Sequence, residues 1–258
     1  MTERAYKSYK LKFKFSFEQP LNLPKYYNSV LQGFFYKNMD PILASILHEV
    51  GFVYNRRRFK LFTFSKIFGK IKEKNESHIL FHPPDVHIYF STPITTHMKS
   101  IAMSLLKKEK MLMYKQHVFL SEVEVLEEEI ESEELTVVCL SPIVVYRTPE
   151  GSRRHIYLSP FEEQFYAMLK SNLMKKYELV YGKRYTGDIE ISPVDANRIH
   201  KKKIVFKGTL ITAWEGLFII KAKRDMLKVG LECGLGVKNS AGFGCIVKIV
   251  KIREKNHA

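Results

Sequence analysis

From Tyr9 the chain reads Tyr-Lys-Leu-Lys-Phe-Lys-Phe-Ser-Phe, so Tyr9, Leu11, Phe13, Phe15 and Phe17 point one way while Lys10, Lys12, Lys14 and Ser16 point the other. A period of two cannot sit on a helix; it predicts a strand with one buried face and commits the N-terminus to a sheet covered on that side. The cover follows at once. After Pro20 and Pro24, the stretch from Lys25 to Met39 places Tyr27, Val30, Leu31, Phe34 and Phe35 three and four residues apart, which predicts a helix, and a second helical piece runs from Pro41 to about Val50. Lys60 to Phe68 and Val86 to Ser91 predict two paired strands, with a Lys-Asn-Glu-Ser turn and Pro83-Pro84 between them. Ile94 to Lys108 predicts a helix and Val118 to Leu126 another strand.

The glutamate-rich segment Glu127 to Glu134 interrupts this pattern, and the same order then begins again. Leu135 to Tyr146 predicts a strand broken by Pro142, Pro160 to Tyr177 an amphipathic helix, and Tyr185 to Ser192 and Ile204 to Ile220 further strands. Asp225 to Gly234 predicts a short helix and Phe243 to Ile252 a final alternating strand. The expectation is an α+β chain of two tandem ferredoxin-like (βαββαβ, RRM-like) domains with antiparallel sheets, residues 1–130 and 135–258. Such a sheet leaves an open face that often carries RNA. Neither unit contains the Arg/Lys-Gly-Phe/Tyr-Gly/Ala-Phe block of an RRM, so an RNA ligand is expected on another surface, such as a basic cleft between the domains.

Charge narrows the partner. The chain of 258 residues is 45% hydrophobic, enough to close a core, and has 42 Lys plus Arg against 27 Asp plus Glu. Eight glutamates lie between Glu122 and Glu134, a window without Lys or Arg, so the rest of the chain sets all 42 cationic residues against 19 acids. A surface of that sign favours polyanions, nucleic acid before an anionic membrane. No apolar run reaches the roughly 18 residues of a membrane span, no signal-peptide block opens the chain, and no amphipathic helix shows a lysine-rich polar face, so a cytoplasmic protein without a membrane partner is expected. Cys139, Cys233 and Cys245 are odd in number, form no close pair and sit in apolar stretches, which suits buried thiols in a reducing compartment. No metal ligand set and no cofactor are expected.

The sharpest motif is Gly234-Leu-Gly236-Val-Lys238-Asn239-Ser240-Ala-Gly242-Phe-Gly244, four glycines in eleven residues. It is neither a dinucleotide fingerprint, which needs a strand before and a helix after, nor a Walker A loop, since no Gly-Lys-Ser/Thr occurs. Two readings stand: glycines that bring backbone N–H groups to a phosphate chain, with Lys238 adding charge, or a helix-ending glycine and a tight turn into the last strand.

With Leu227-Lys228-Val229-Gly230 before it, this loop resembles the C-terminal glycine-rich signature of the CRISPR-associated RAMP superfamily, specifically its repeat-processing endoribonuclease. Leu31-Gln32-Gly33-Phe34-Phe35-Tyr36, Leu47-His48-Glu49-Val50, Lys60-Leu61-Phe62-Thr63-Phe64-Ser65, Leu140-Ser141-Pro142-Ile143 and Thr212-Ala213-Trp214 are similar to blocks of that family in family order, so the resemblance spans nearly the whole chain. It implies two ferredoxin-like domains and metal-independent cleavage of CRISPR RNA precursors within each repeat, with products ending in a 2′,3′-cyclic phosphate and a 5′-hydroxyl. It also implies repeat RNA as partner, together with an effector complex and a second copy of the chain as further candidates. The alternative is a noncatalytic RAMP subunit that holds CRISPR RNA in an effector complex.

By the family's pattern His48 is the acid/base, Tyr36 its partner across the site and Lys60 the electrostatic stabiliser. The residue types suit the chemistry: attack by a neighbouring 2′-OH needs a proton acceptor, a donor to the departing oxygen and positive charge on the phosphorane. The segment between His48 and Lys60 carries Arg56, Arg57 and Arg58 and is longer than in the family, which leaves Arg57 or Arg58 as substitutes for Lys60 or as phosphate clamps. RNA contacts are expected from those arginines, from His200, Lys201, Lys202 and Lys203, which are read as flanking the same sheet as the glycine loop, and from Gly234, Gly236, Lys238, Asn239, Ser240, Gly242 and Gly244. Trp214 and Tyr185 read either as base-stacking residues or as core.

Overall fold

The computed structural model describes residues 6–55, 57–152 and 154–249. The frame of the first unit is β1 (Tyr6–Ser16), α1 (Asn28–Asn38), β2 (Phe68–Lys74), β3 (His78–Ser91), α2 (Thr95–Leu106) and β4 (Gln116–Ile130), with the short strands Leu21–Pro24, Thr63–Phe64 and Met111–Met113 added to its sheet. Its antiparallel strands lie in the order β2-β3-β1-β4, so the alternating N-terminal strand is internal, paired with β3 on one side and β4 on the other. Phe13, Phe15, Phe35, Phe90 and Ile101 close the core between this sheet and its two helices.

The second unit repeats the plan with β5 (Glu134–Cys139), α3 (Glu163–Tyr181), β6 (Glu190–Pro193), β7 (Leu217–Lys221), α4 (Arg224–Cys233) and β8 (Ile246–Lys248). Its order is β6-β7-β5-β8, the same permutation as in the first sheet. Phe165, Leu169 and Leu173 from α3 and Leu227 and Leu231 from α4 pack on Phe218 and Ile220. Both units are therefore ferredoxin-like. Three short hairpins decorate them: Phe52–Tyr54 with Arg57–Phe59, Tyr146–Arg147 with Ile156–Tyr157, and His200–Phe206 with Thr209–Glu215.

Several local expectations are corrected. The glutamates do not interrupt the sheet, because β4 continues to Ile130 and pairs Glu127, Glu128 and Glu129 with Tyr9, Ser8 and Lys7. Opposite charge makes this workable: Lys12 meets Glu124 at 2.9 Å, Lys7 meets Glu127 at 2.5 Å, and the fully buried Lys10 meets Glu128 at 2.5 Å. Lys10 is buried because this end of β1 is covered by α4, whose Glu232 accepts the Tyr9 amide at 3.3 Å.

The strand expected from Lys60 splits. Leu61 turns at φ 50°, Thr63–Phe64 makes only a short pairing with β3, and the long partner of β3 starts at Phe68. Pro83-Pro84 lies inside β3 instead of before it. Beyond Cys139 the strand expected to reach Tyr146 stops. The stretch Ile204 to Ile220 folds into a hairpin followed by β7. The end of the last expected strand, from 250 to 252, lies outside the described residues. Cys139, Cys233 and Cys245 are buried and free, and burial pushes each thiol up to about 12. Among the described residues no helix is long and apolar enough to cross a membrane.

Candidate active site and basic cleft

The site begins at the end of α1. Leu31, Phe34 and Phe35 anchor the helix in the core, which leaves Tyr36 half-buried at the edge, its ring 5.8 Å from Phe62. Asp40 then caps the next helix, accepting the amides of Ile42 and Leu43 at 3.0 and 3.1 Å with Pro41 in the first position. That helix widens into a π turn, Ile46–Val50, closed by the Gly51 amide on the Ile46 carbonyl at 2.8 Å. The wide turn buries Leu47 and exposes His48. It also sets the His48 ring edge-on to Tyr36, with centroids 5.6 Å apart.

Lys60 completes the group. Its Nζ donates to the His48 carbonyl at 2.7 Å, and Arg58 donates to the Glu49 carbonyl at 2.5 Å, so two cations brace the turn that presents His48. This close approach requires Gly51, at φ 63°, because a Cβ there would stand 2.6 Å from the Phe59 carbonyl and 3.2 Å from Lys60 Nζ. The site is electropositive and partly dry. Burial pushes the Tyr36 phenol up to about 12, and burial together with the Arg58 charge pulls the Lys60 ammonium below its ordinary value.

From Lys60 a cleft of about 710 Å³ opens between the two units, lined by Arg57, Arg58 and Lys60 on one side and by Arg147, Lys175 and Lys238 on the other. The glycine loop forms its floor. Gly234 ends α4 at φ 76°, its amide on the Gly230 carbonyl at 3.0 Å, and the Val237 and Gly244 amides bond the Val144 and Pro142 carbonyls at 2.9 and 2.8 Å. The glycines permit contact with protein: a Cβ at Gly244 would lie 1.9 Å from the Leu235 carbonyl, and one at Gly242 would lie 2.5 Å from Phe64 of the other unit. The turn reading accounts for all four glycines, Gly236 included, where a Cβ would lie 2.3 Å from the Val144 carbonyl. Gly236, Lys238, Asn239 and Ser240 line the cleft.

Residues that the sequence did not single out hold this loop. Buried Lys176 donates to the carbonyls of Gly234 and Gly236 at 2.7 and 2.9 Å and to Asn239 Oδ1 at 2.8 Å. From α1, Asn28 donates to the Ala241 carbonyl and Gln32 to the Ser240 carbonyl, at 3.0 and 2.9 Å, tying the helix that carries Tyr36 to the loop. A lysine inside an amphipathic helix gives no signal of this; an Asn and a Gln four residues apart on α1 could have suggested a polar docking stripe.

His200, Lys201, Lys202 and Lys203 lie elsewhere. They belong to a two-stranded hairpin outside the four-stranded sheet that the glycine loop enters, contrary to the expectation of a shared sheet, and none lines the cleft. Lys202 faces Glu215 at 3.4 Å, and Lys201 sits 5.7 Å over the Trp214 ring. Trp214 and Tyr185 are core, the indole N–H bonded to the Leu158 carbonyl at 3.0 Å. Arg56 lies outside the described residues.

Two ferredoxin-like domains facing each other across a cation-lined cleft, with a Tyr-His-Lys group at one end, define a class of tandem ferredoxin-like proteins with a basic interdomain groove. The sequence families make it specific: residues 20–124 match "CRISPR-associated protein Cas6, N-terminal" and residues 124–247 match "CRISPR associated protein Cas6, C-terminal". A "CRISPR-associated endoribonuclease Cas6" of Pyrococcus furiosus is 32% identical over 234 residues, covering 89% of this chain and 84% of the relative. "CRISPR-associated endoribonuclease Cas6 1" of Methanocaldococcus jannaschii is 27% identical, covering 84% and 82%. The chain belongs to the Cas6 family of CRISPR-associated endoribonucleases. Solved structures share the fold: a Cas6-related protein from Pyrococcus furiosus at TM-score 0.82 and 21% identity covers 95% of this chain and 99% of its own. A RAMP protein described as binding different RNA substrates, at TM-score 0.79 and 23% identity, covers 94% and 100%.

Proposed function

We propose that this chain binds CRISPR repeat RNA along the basic cleft and cuts the precursor within each repeat without a metal ion, leaving a 2′,3′-cyclic phosphate and a 5′-hydroxyl. The observation that carries the reading is the convergence of Tyr36, His48 and Lys60 from three separate segments, with Lys60 both on the His48 carbonyl and on the cleft wall. In the step, the 2′-oxygen forms a bond to phosphorus, the P–O5′ bond breaks, the 2′-OH proton leaves to a base and a proton reaches O5′. His48 exchanges protons. Tyr36, held protonated by its burial, donates a hydrogen bond and orients, while Lys60 and Arg58 offset the charge that develops on the phosphorane. Arg57, Arg147, Lys175 and Lys238 hold the backbone by charge without reading bases.

The test is denaturing-gel analysis of repeat RNA from the locus that encodes the chain, incubated in EDTA with wild type and with His48→Ala, followed by an end-group assay. One wild-type cut ending in cyclic phosphate and absent from the variant is expected. Loss of cutting in EDTA that returns with magnesium contradicts metal independence. Tight binding with intact RNA in both proteins would instead make the chain a noncatalytic subunit.

A further inference from the structure

With Trp214 and Tyr185 closed inside the core, the aromatic rings on the cleft wall among the described residues are Phe59 and Phe62, which pack into the hydrophobic cores, and Tyr146, which belongs to the hairpin of Tyr146–Arg147 and Ile156–Tyr157. Tyr146 lines the cleft next to Arg147, Thr148 and Lys238. His155, just before the second strand, lies flat on Tyr146 with centroids 3.9 Å apart and planes 24° from parallel, and it is itself exposed. Tyr157 closes the stack from the side, edge-on to Tyr146 at 5.9 Å, and its buried hydroxyl has no hydrogen-bond partner among the described residues. Lys238 reaches across from the glycine loop, its Nζ 5.7 Å from the Tyr146 centroid.

Tyr146 and Tyr157 pack on a small core of Val144, Ile211 and Phe243, whereas His155, the outer ring, is exposed and lies outside that core. The stack supplies a flat π surface within reach of two cations. We propose that His155 stacked on Tyr146 forms a nucleobase-stacking subsite at the mouth of the cleft, taking one unpaired base of the RNA while Lys238 and Arg147 hold the adjacent phosphates. This rests on the RNA reading above. Burial and the nearby Lys238 charge pull His155 below its ordinary value, so at neutral pH it stacks as an uncharged ring. Stacking on an aromatic face tolerates any base and contributes on the order of 1–3 kcal/mol per base, roughly 5- to 150-fold in affinity.

Anisotropy titrations would compare the locus's repeat RNA with a series of copies, each carrying one abasic position, on the full chain as wild type, His155→Ala and His155→Phe. For wild type, one abasic position should weaken binding at least about 5-fold. His155→Ala should weaken intact RNA by a similar factor and become insensitive to that position, while His155→Phe, which loses the Thr148 hydroxyl contact seen at 2.9 Å but keeps a flat ring, should retain both properties. Unchanged affinity in His155→Ala, or a loss that persists at every abasic position, overturns the subsite and leaves the cleft reading standing. Failure of wild type to bind any of these RNAs overturns both. Because His155 is exposed, the variants should melt with wild type.

Discussion

At the residue scale burial beside the π turn shifts the Tyr36 phenol up and the Lys60 ammonium down, and the Arg58 charge adds to the second shift. Tyr36, pushed up to about 12, stays protonated through the neutral range, so it is a fixed donor whose titration lies beyond any working pH. Tyr36→Phe is therefore expected to lower the cleavage rate about 10- to 100-fold while leaving the shape of the pH–rate profile between pH 5 and 9 unchanged. A profile that loses an inflection in this variant would show Tyr36 titrating, against the environment seen here. Tyr36 and His48 were legible only as blocks of a family, because a histidine on an apolar helical stretch is ordinary by itself. Gly51 was missed although a glycine directly after a helix is a standing signal of a left-handed turn. Lys176 could not be found from sequence at all, since its place under the glycine loop depends on how α3 and α4 pack.

Elements show how far local pattern reaches. The alternation in β1 announced its strand because one strand's own side chains carry the signal, whereas the run Glu127–Glu129 reads as a break until the lysines of β1 are set opposite it. Within that ladder the pairs are unequal. Glu128 serves buried Lys10 at 2.5 Å and accepts the Lys248 amide at 2.6 Å, whereas Glu124 and Lys12 are both partly exposed. Glu128→Gln is expected to cost about 3 kcal/mol by stranding a buried ammonium, and Glu124→Gln under about 1 kcal/mol, both read by urea denaturation. Equal effects would mean that burial of the pair does not matter. A second test concerns α3. Burial pulls Lys176 down to about 8 from 10.5, so between those values the unfolded chain binds the proton more tightly and stability rises with pH. Wild type should gain roughly 2 kcal/mol on Lys176→Met between pH 7.5 and 9.5; no change in the difference would place Lys176 near its ordinary value.

For the whole molecule the repeated strand order was legible because each unit carries its own sequence of patterns, but the relation between the units was not, since it rests on contacts between residues far apart in sequence, such as Tyr9 with Glu232, Asn28 with Ala241 and Thr63 with Phe243. Those contacts turn a diffuse excess of positive charge into a groove. Among the described residues seven cationic side chains line it, Arg57, Arg58, Lys60, Arg147, Lys175, Lys176 and Lys238. Lys176 is buried with its ammonium on three loop oxygens, whereas Arg58 and Lys60 each give one donor to a backbone carbonyl and stay at least partly exposed, so six remain to meet phosphates. Each neutralised phosphate on a single strand contributes about 0.7 to the log–log salt slope, so the affinity for unstructured repeat RNA should fall with a slope near −4, on the order of 300-fold between 50 and 200 mM salt. Lys175→Ala, on the cleft wall and outside the Tyr36–His48–Lys60 group, should reduce the slope by about 0.7 while leaving the cleavage rate of saturated complexes unchanged. Filter-binding titrations at four or five salt concentrations give both numbers. A wild-type slope near zero would remove the cleft from RNA binding, whereas a wild-type slope near −4 that Lys175→Ala does not change would place the RNA on a different basic surface, with the lysines of the His200–Phe206 strand the next to test.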